Sequence, residues 1–247
     1  MIKNCKKIAF FNVRETWFDY QYNFWDIFSL NVFMHIRNKG SKIIPGVKEI
    51  SYTVELDLVQ VTESILSNFS SEIRIQSRKA EKAGISCFFQ DDIDGFVDFY
   101  NDFALKKGTY TTSKEYLKAL NGNLKMSFAK NNEEILVAHS YLVDKDLGIV
   151  RGINSGTKRL NENYDSKLIS KAHKYLILKD ILYFKEMGFK TFDFGGYAKD
   201  TNNESLKGIN KFKLMFGGKV VSCLNYYSYS YWVLKKLTKI LGLSGKL

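Results

Sequence analysis

The chain has 247 residues, of which 45% are apolar and 15% aromatic, enough to bury a sizeable core and too apolar for a disordered chain. Three cysteines (Cys5, Cys87, Cys223) and three histidines (His35, His139, His173) stand apart, in no metal-ligand spacing, which excludes a disulfide framework and a zinc site; no metal is expected. The formal charge of +11 points to anionic partners: nucleotide phosphates, a coenzyme pyrophosphate, tRNA or an acidic lipid surface.

The basic N-terminus leads into an apolar run that stops at Phe11, too short for a signal peptide, and no run of about eighteen apolar residues follows. With so few cysteines, the expectation is a cytoplasmic protein that neither crosses a membrane nor is exported by its own signal. Lys6 to Arg14 reads as a strand, Trp17 to Ile36 as an aromatic helix, and Pro45 marks a turn over residues 42–48. Ser51 to Leu58 alternates as a strand. Thr62 to Ala83 reads as one helix whose Arg74, Arg78 and Lys82 fall on one face at i, i+4 steps, either a phosphate-binding row or a solvated face.

Gly84 ends that helix and divides the chain into residues 1–84 and residues 85–247. Beyond it the pattern predicts a strand from Ile85, a helix from Ile93 and a short helix from Ser113. Strands follow over 124–130, 134–143 and 147–154, then a long helix, Glu162 to Met187. His139 shares its strand face with Val137, Tyr141 and Val143, so it is either a hydrogen-bonded core group or a base able to accept a proton from an attacking amine.

The last third is organised by Gly188 to Val221. A strand delivers Asp193 to Gly195-Gly196, the helix Glu204 to Met215 carries Lys207, Lys211 and Lys213, and a second Phe-Gly-Gly precedes a strand from Lys219. Lys213 is either an exposed helix lysine or a cation for an oxyanion or phosphate. From Tyr229 the tail sets Trp232, Val233, Leu237, Ile240 and Leu241 against Lys235, Lys236 and Lys239. This amphipathic basic helix suits packing on the body, a second subunit or, as the alternative, peripheral membrane contact.

The run FDFGG followed by GINKFKLMFGG, with YTVELDL, EIRIQSRKAEKAGI and FVDFYNDFALKKG upstream in that order, resembles the Fem-like branch of the GNAT acyltransferase superfamily over Tyr52 to Tyr227. The resemblance implies an α/β protein: a GNAT fold built on a mixed sheet, with a smaller N-terminal α/β domain. It implies that the strand ending at Ile153 and Asn154 parts from its neighbour to admit a donor, and that Lys158, Arg159 and Lys213 meet the donor's phosphates. The segment Arg151 to Gly156 has its glycines at other spacings than the usual coenzyme A loop, and Fem-like relatives that use aminoacyl-tRNA lack that loop too.

The expected activity is N-acyl transfer from acyl-CoA, as co-substrate, to the amino group of a nucleotide-linked amino sugar in surface-polysaccharide biosynthesis, such as that of lipopolysaccharide. His139 or Asp193 would be the base, Tyr197 the acid for the thiolate, and Arg74, Arg78, Lys207 and Lys211 the substrate's cations. The alternatives are a Fem-like aminoacyl-tRNA-dependent ligase acting on a cell-wall precursor, and a non-catalytic GNAT shell that binds an anionic ligand.

Overall fold

The structure, a computed structural model, describes residues 2–8, 11–20, 26, 28–37, 46–120 and 122–240. Among the described residues ten strands form one mixed sheet: β1 (Ile2–Ile8), β2 (Phe11–Trp17), β3 (Asn31–Ile36), β4 (Val47–Asp57), β5 (Ile85–Phe89), β6 (Leu124–Asn131), β7 (Glu134–Asp144), β8 (Ile149–Thr157), β9 (Thr191–Gly196) and β10 (Lys219–Tyr227). Their order across the sheet is β1-β2-β3-β10-β4-β9-β8-β7-β6-β5. The pairs β2–β3 and β8–β9 run parallel, and the other pairs of these strands antiparallel. The described helices are α1 (Thr62–Asn68), α2 (Ser71–Lys82), α3 (Ile93–Lys107), α4 (Lys114–Ala119), α5 (Ser166–Glu186), α6 (Glu204–Leu214) and α7 (Tyr229–Ile240).

The helix expected over Trp17 to Ile36 is corrected. Trp17 closes β2, and Asn31–Ile36 is an interior strand held between β2 and β10. Both faces of β3 are buried, so its apolar residues Val32, Phe33, Met34 and Ile36 do not alternate with exposed polar ones, and the segment has no period to distinguish strand from helix. Of the turn expected over 42–48, residues 42–45 with Pro45 lie outside the described residues, as do Leu241 in the tail and the side chain of Lys239, while Val47 and Lys48 already belong to β4.

The single helix expected over 62–83 is also two. Phe69 turns into extended backbone and buries its ring edge-on against Phe216, 5.5 Å between centroids, while Ser70 caps α2 through the Ile73 N–H. The break persists because a fully buried phenylalanine is worth about 2 kcal/mol, more than the one or two helical hydrogen bonds given up. Strands from both sides of residue 84 share the sheet, with β4 inserted between β10 and β9.

Helices cover both faces of the sheet. α3 and α4 pack Phe96, Tyr100, Phe103 and Leu117 on one face against Phe128, Ala138 and Leu142. On the other, α5 lays Ile177, Ile181 and Phe184 against Tyr141, Val143, Val150 and Phe192. Among the described residues no helix is long and apolar enough to cross a membrane, and no three His, Cys, Asp or Glu residues gather as a metal site.

Candidate functional site

The sheet opens between β8 and β9. The two pair in parallel only through Ile149↔Thr191, Val150↔Phe192 and Arg151↔Asp193. On its other edge β8 slips register against β7: Tyr141 pairs with Gly152 and Ser140 with Asn154, which leaves Ile153 as a bulge. Meanwhile β9 follows β4 as far as Thr53↔Gly196. Beyond Arg151 the two edges therefore part, and their backbone N–H and C=O groups are left for a ligand. Gly195 sits at φ +82° against the Gly152 carbonyl, where an added Cβ would lie 3.0 Å from that oxygen, so only glycine starts the gap there.

A cavity of about 1670 Å³ occupies the opening. Tyr100 and Tyr116 line it from the α3–α4 face, His173 and Phe212 from the α5–α6 face, and Gly152 and Gly195 stand between. The cavity thus passes through the plane of the sheet.

A buried ion network forms its base. Asp193 is fully buried; its carboxylate accepts from Arg151 Nη1 at 2.6 Å, from the Gly195 N–H at 2.8 Å and from the Thr53 hydroxyl. Arg37 bridges Asp193 at 3.5 Å and Glu55 at 2.8 Å. Burial opposes ionisation of Asp193, but Arg151, with the Thr53 and Gly195 donors, outweighs it and holds the carboxyl below its usual value. His35, stacked on Trp17 at 5.5 Å, is pushed down to about 3 by burial and by Arg151, so it is neutral at ordinary pH. Arg151, not Asp193, reaches the cavity wall.

Lys213 enters from α6 and donates to the Gly196 carbonyl at 2.5 Å. Burial first and Arg151 second push its ammonium down to about 8, although Asp193 pulls the other way. Opposite it, between β7 and α5, Asp180 takes His139 Nδ1 at 2.9 Å and the Tyr141 hydroxyl at 2.5 Å. His173 lies beside them, its ring 5.1 Å from that of His139 and 5.0 Å from that of Phe212, with Nε2 3.3 Å from Ser155 Oγ. Burial, then the neighbouring His139, keep His173 well below the usual imidazole value.

Of the residues singled out from the sequence, His139, Ile153, Asn154, Arg159 and Lys213 come together around the cavity. The others stand off it. Tyr197 is held by its backbone to Tyr52, and Lys158 packs over the rings of Phe99 and Tyr164. Arg74 donates to the Ser67 and Phe69 carbonyls, which closes the α1–α2 corner. Arg78 and Lys211 are exposed, and Lys207 pairs with Glu204 on the surface. Sequence reading missed Arg151, Tyr141, His173 and Asp180. A signal for the last existed: an acid in the apolar helix run ILKDILYF, seven residues after His173 and so two turns along the same face.

The turn from β8 to α5 bears on the donor. It runs through a short 3₁₀ turn, Lys158–Leu160, and Asp165 caps α5 by accepting from the Lys167 N–H at 2.8 Å. The end of α5 thus already carries a carboxylate where a coenzyme pyrophosphate would take N–H groups.

Neither a protein-family model nor a curated protein matches the sequence. In fold, the chain is similar to FemX, with a TM-score of 0.60 over 94% of this chain and 85% of that one at 12% identity. The fold is GNAT-like, of the kind seen in FemX. It is similar also to the C-terminal domain of a putative lysylphosphatidylglycerol synthetase from Agrobacterium fabrum, with a TM-score of 0.57 over 88% and 74% at 11% identity. For L-PGS from Bacillus licheniformis the values are 0.54, 89%, 74% and 14%. At these identities the likeness is one of fold. In this GNAT-like frame β8 and β9 stand as the parted pair that the sequence resemblance assigned to the donor.

Proposed function

We propose that the chain is a transferase that moves an acyl or aminoacyl group from an activated ester onto a primary amine, the two substrates meeting in the gap between β8 and β9. The observation that carries this reading is the cavity that passes through the sheet, because donor and acceptor can then approach the same carbon from opposite faces. The amine attacks the acyl carbonyl, and backbone N–H groups freed at the bulged β8 take the developing oxyanion. The Lys213 ammonium adds a positive charge at the rim.

Two donors fit this chemistry. The carboxylate cap of Asp165 and the absence of glycine from residues 157–165 favour an aminoacyl ester carried by tRNA, as in the Fem-like relatives the sequence resembles, and the charge of +11 suits a polyanion. The acyl-CoA reading, with a nucleotide-linked amino sugar as acceptor, rests on Arg159, which lies on the cavity wall at the same turn. Three free, dispersed cysteines support a reducing compartment, the cytoplasm.

The test offers the purified chain charged tRNAs and acyl-CoAs, with amino-sugar nucleotides and amine-bearing peptides as acceptors, and reads the acylated product by mass. With tRNA as donor, transfer is abolished by ribonuclease and falls steeply between 50 and 200 mM salt, by about a thousandfold if six phosphates are held. Ribonuclease-resistant transfer with thiol release moves the assignment to acyl-CoA. Binding of either donor without any transfer overturns the enzyme reading in favour of a non-catalytic binder.

A further inference from the structure

We propose that His139 and Asp180 are the acid–base couple of the transfer reaction, with His139 Nε2 as the atom that takes the proton of the acceptor amine. This deepens the transferase reading and rests on it. Asp180 is fully buried, and its Oδ2 receives both His139 Nδ1 at 2.9 Å and the Tyr141 hydroxyl at 2.5 Å. With Asp180 as the acceptor of both bonds, the imidazole proton sits on Nδ1 and the lone pair on Nε2. Nε2 is buried, has no hydrogen-bond partner among the described residues, and belongs to a ring on the cavity wall. A buried polar atom without a partner, on a ring that lines the cavity and is held by a carboxylate at its other nitrogen, is what a proton acceptor requires.

The surroundings support that assignment. Burial and then Asp180 push the Tyr141 hydroxyl well above the usual phenol value, so it stays protonated and orients Asp180 as a donor. His173, next to His139 on α5, is kept neutral by burial and by His139 and does not compete as a cation. The other groups that face this pair are Lys174 on α5, Ser127 on β6, Cys87 on β5, and Arg159 and Lys107, whose charges act on His173. In the reaction the amine nitrogen bonds to the acyl carbon and gives one proton to Nε2. The bond from carbon to the donor oxygen, or sulfur, then breaks, and the imidazolium returns the proton to that leaving atom. Asp180 and Tyr141 are positioning residues, since they act through the ring.

The test compares the full chain with His139→Gln, Asp180→Asn and Tyr141→Phe, each checked for folding by thermal melting. Transfer is followed from alanyl-tRNA, lysyl-tRNA and acetyl-CoA between pH 6 and 9, and histidine-labelled protein is read by nitrogen NMR. His139→Gln is expected to lose about a hundredfold in turnover near pH 6.5 and to recover as the amine deprotonates unaided at higher pH. Asp180→Asn is expected to show the same pH-dependent loss, and Tyr141→Phe, which keeps the ring, about a tenfold loss with an unchanged melting temperature. The NMR signature is a proton on Nδ1 of His139. A chain that transfers while His139→Gln matches it at every pH, or a proton found on Nε2, overturns the couple alone. A chain inert toward every donor overturns the transferase reading and the couple with it.

Discussion

Arg151 and Asp193 face each other across the last rung of the β8–β9 ladder, with Nη1 2.6 Å from Oδ2, and the strands part immediately beyond them. The pair works as a rivet: Asp193 holds the guanidinium and, through the Gly195 N–H, the glycine turn that opens the gap. Arg37 binds the same carboxylate oxygen as Arg151, and the Thr53 hydroxyl donates to the other.

Replacing Asp193 with asparagine should therefore act on stability first. It leaves the buried Arg151 guanidinium without its counter-charge, while Arg37 keeps Glu55, a loss of about 3–5 kcal/mol measured by urea unfolding. Because the folded carboxyl titrates below its ordinary value, its contribution is fully present above the unfolded value near 3.9 and is lost as pH falls through the lower folded value. The difference between the chain and its Asp193→Asn variant should thus be constant from pH 5 to 8 and shrink below about pH 4. A difference that grows on acidification would mean Asp193 is protonated in the folded protein.

Lys213 predicts the opposite pattern. Its folded value is pushed down to about 8, so at neutral pH the fold carries the cost of a partly buried ammonium. Lys213→Met should melt no lower than the unaltered chain at pH 7, and any gain should fade as pH rises from about 8 toward the unfolded value near 10.4. Turnover should nevertheless fall about tenfold or more, as expected of a lost transition-state charge. A variant of lower melting temperature with unchanged turnover would make Lys213 a structural residue.

The glycines of the second Phe-Gly-Gly give a sharper test of the scaffold. Gly217 has φ +76°, and a Cβ there would lie 2.9 Å from Asn68 Cβ and 3.0 Å from its carbonyl oxygen, whereas Gly84, at φ +77°, opens on empty space. Gly84→Ala should cost about 1 kcal/mol from backbone strain alone, and Gly217→Ala clearly more, because the end of α1 must move. Equal losses in thermal unfolding would show that the α1 contact yields freely.

The tail helix presents two faces. Tyr231 and Thr238 are buried against the body, Tyr231 within a cluster with Val13, Val32 and Tyr227, while Val233, Leu237 and Ile240 point outward. Deleting the chain from Tyr229 should lower the melting temperature, whereas Val233→Ser with Leu237→Ser should leave it unchanged. A changed mass in the double variant would assign the outer face to a second subunit, and lost binding to anionic vesicles would assign it to a membrane.

How much of this was legible beforehand divides along the range of the interactions. Alternation and 3.6-residue periodicity placed β5 to β10 and α3 to α7 close to their observed bounds, and Phe-Gly-Gly marked both turns, because these features are carried by neighbours within a few residues. The segment before residue 37 misled for the same reason: a strand buried on both faces shows no period, so β3 looked like part of a helix. Tertiary structure alone decided that β4 would enter the sheet between β10 and β9, that Arg151 would meet Asp193 42 residues away, and that His139 would meet Asp180 41 residues away. Such pairs leave no local trace in sequence, because what joins them is the register of strands and the face of a helix, set only when the whole sheet closes.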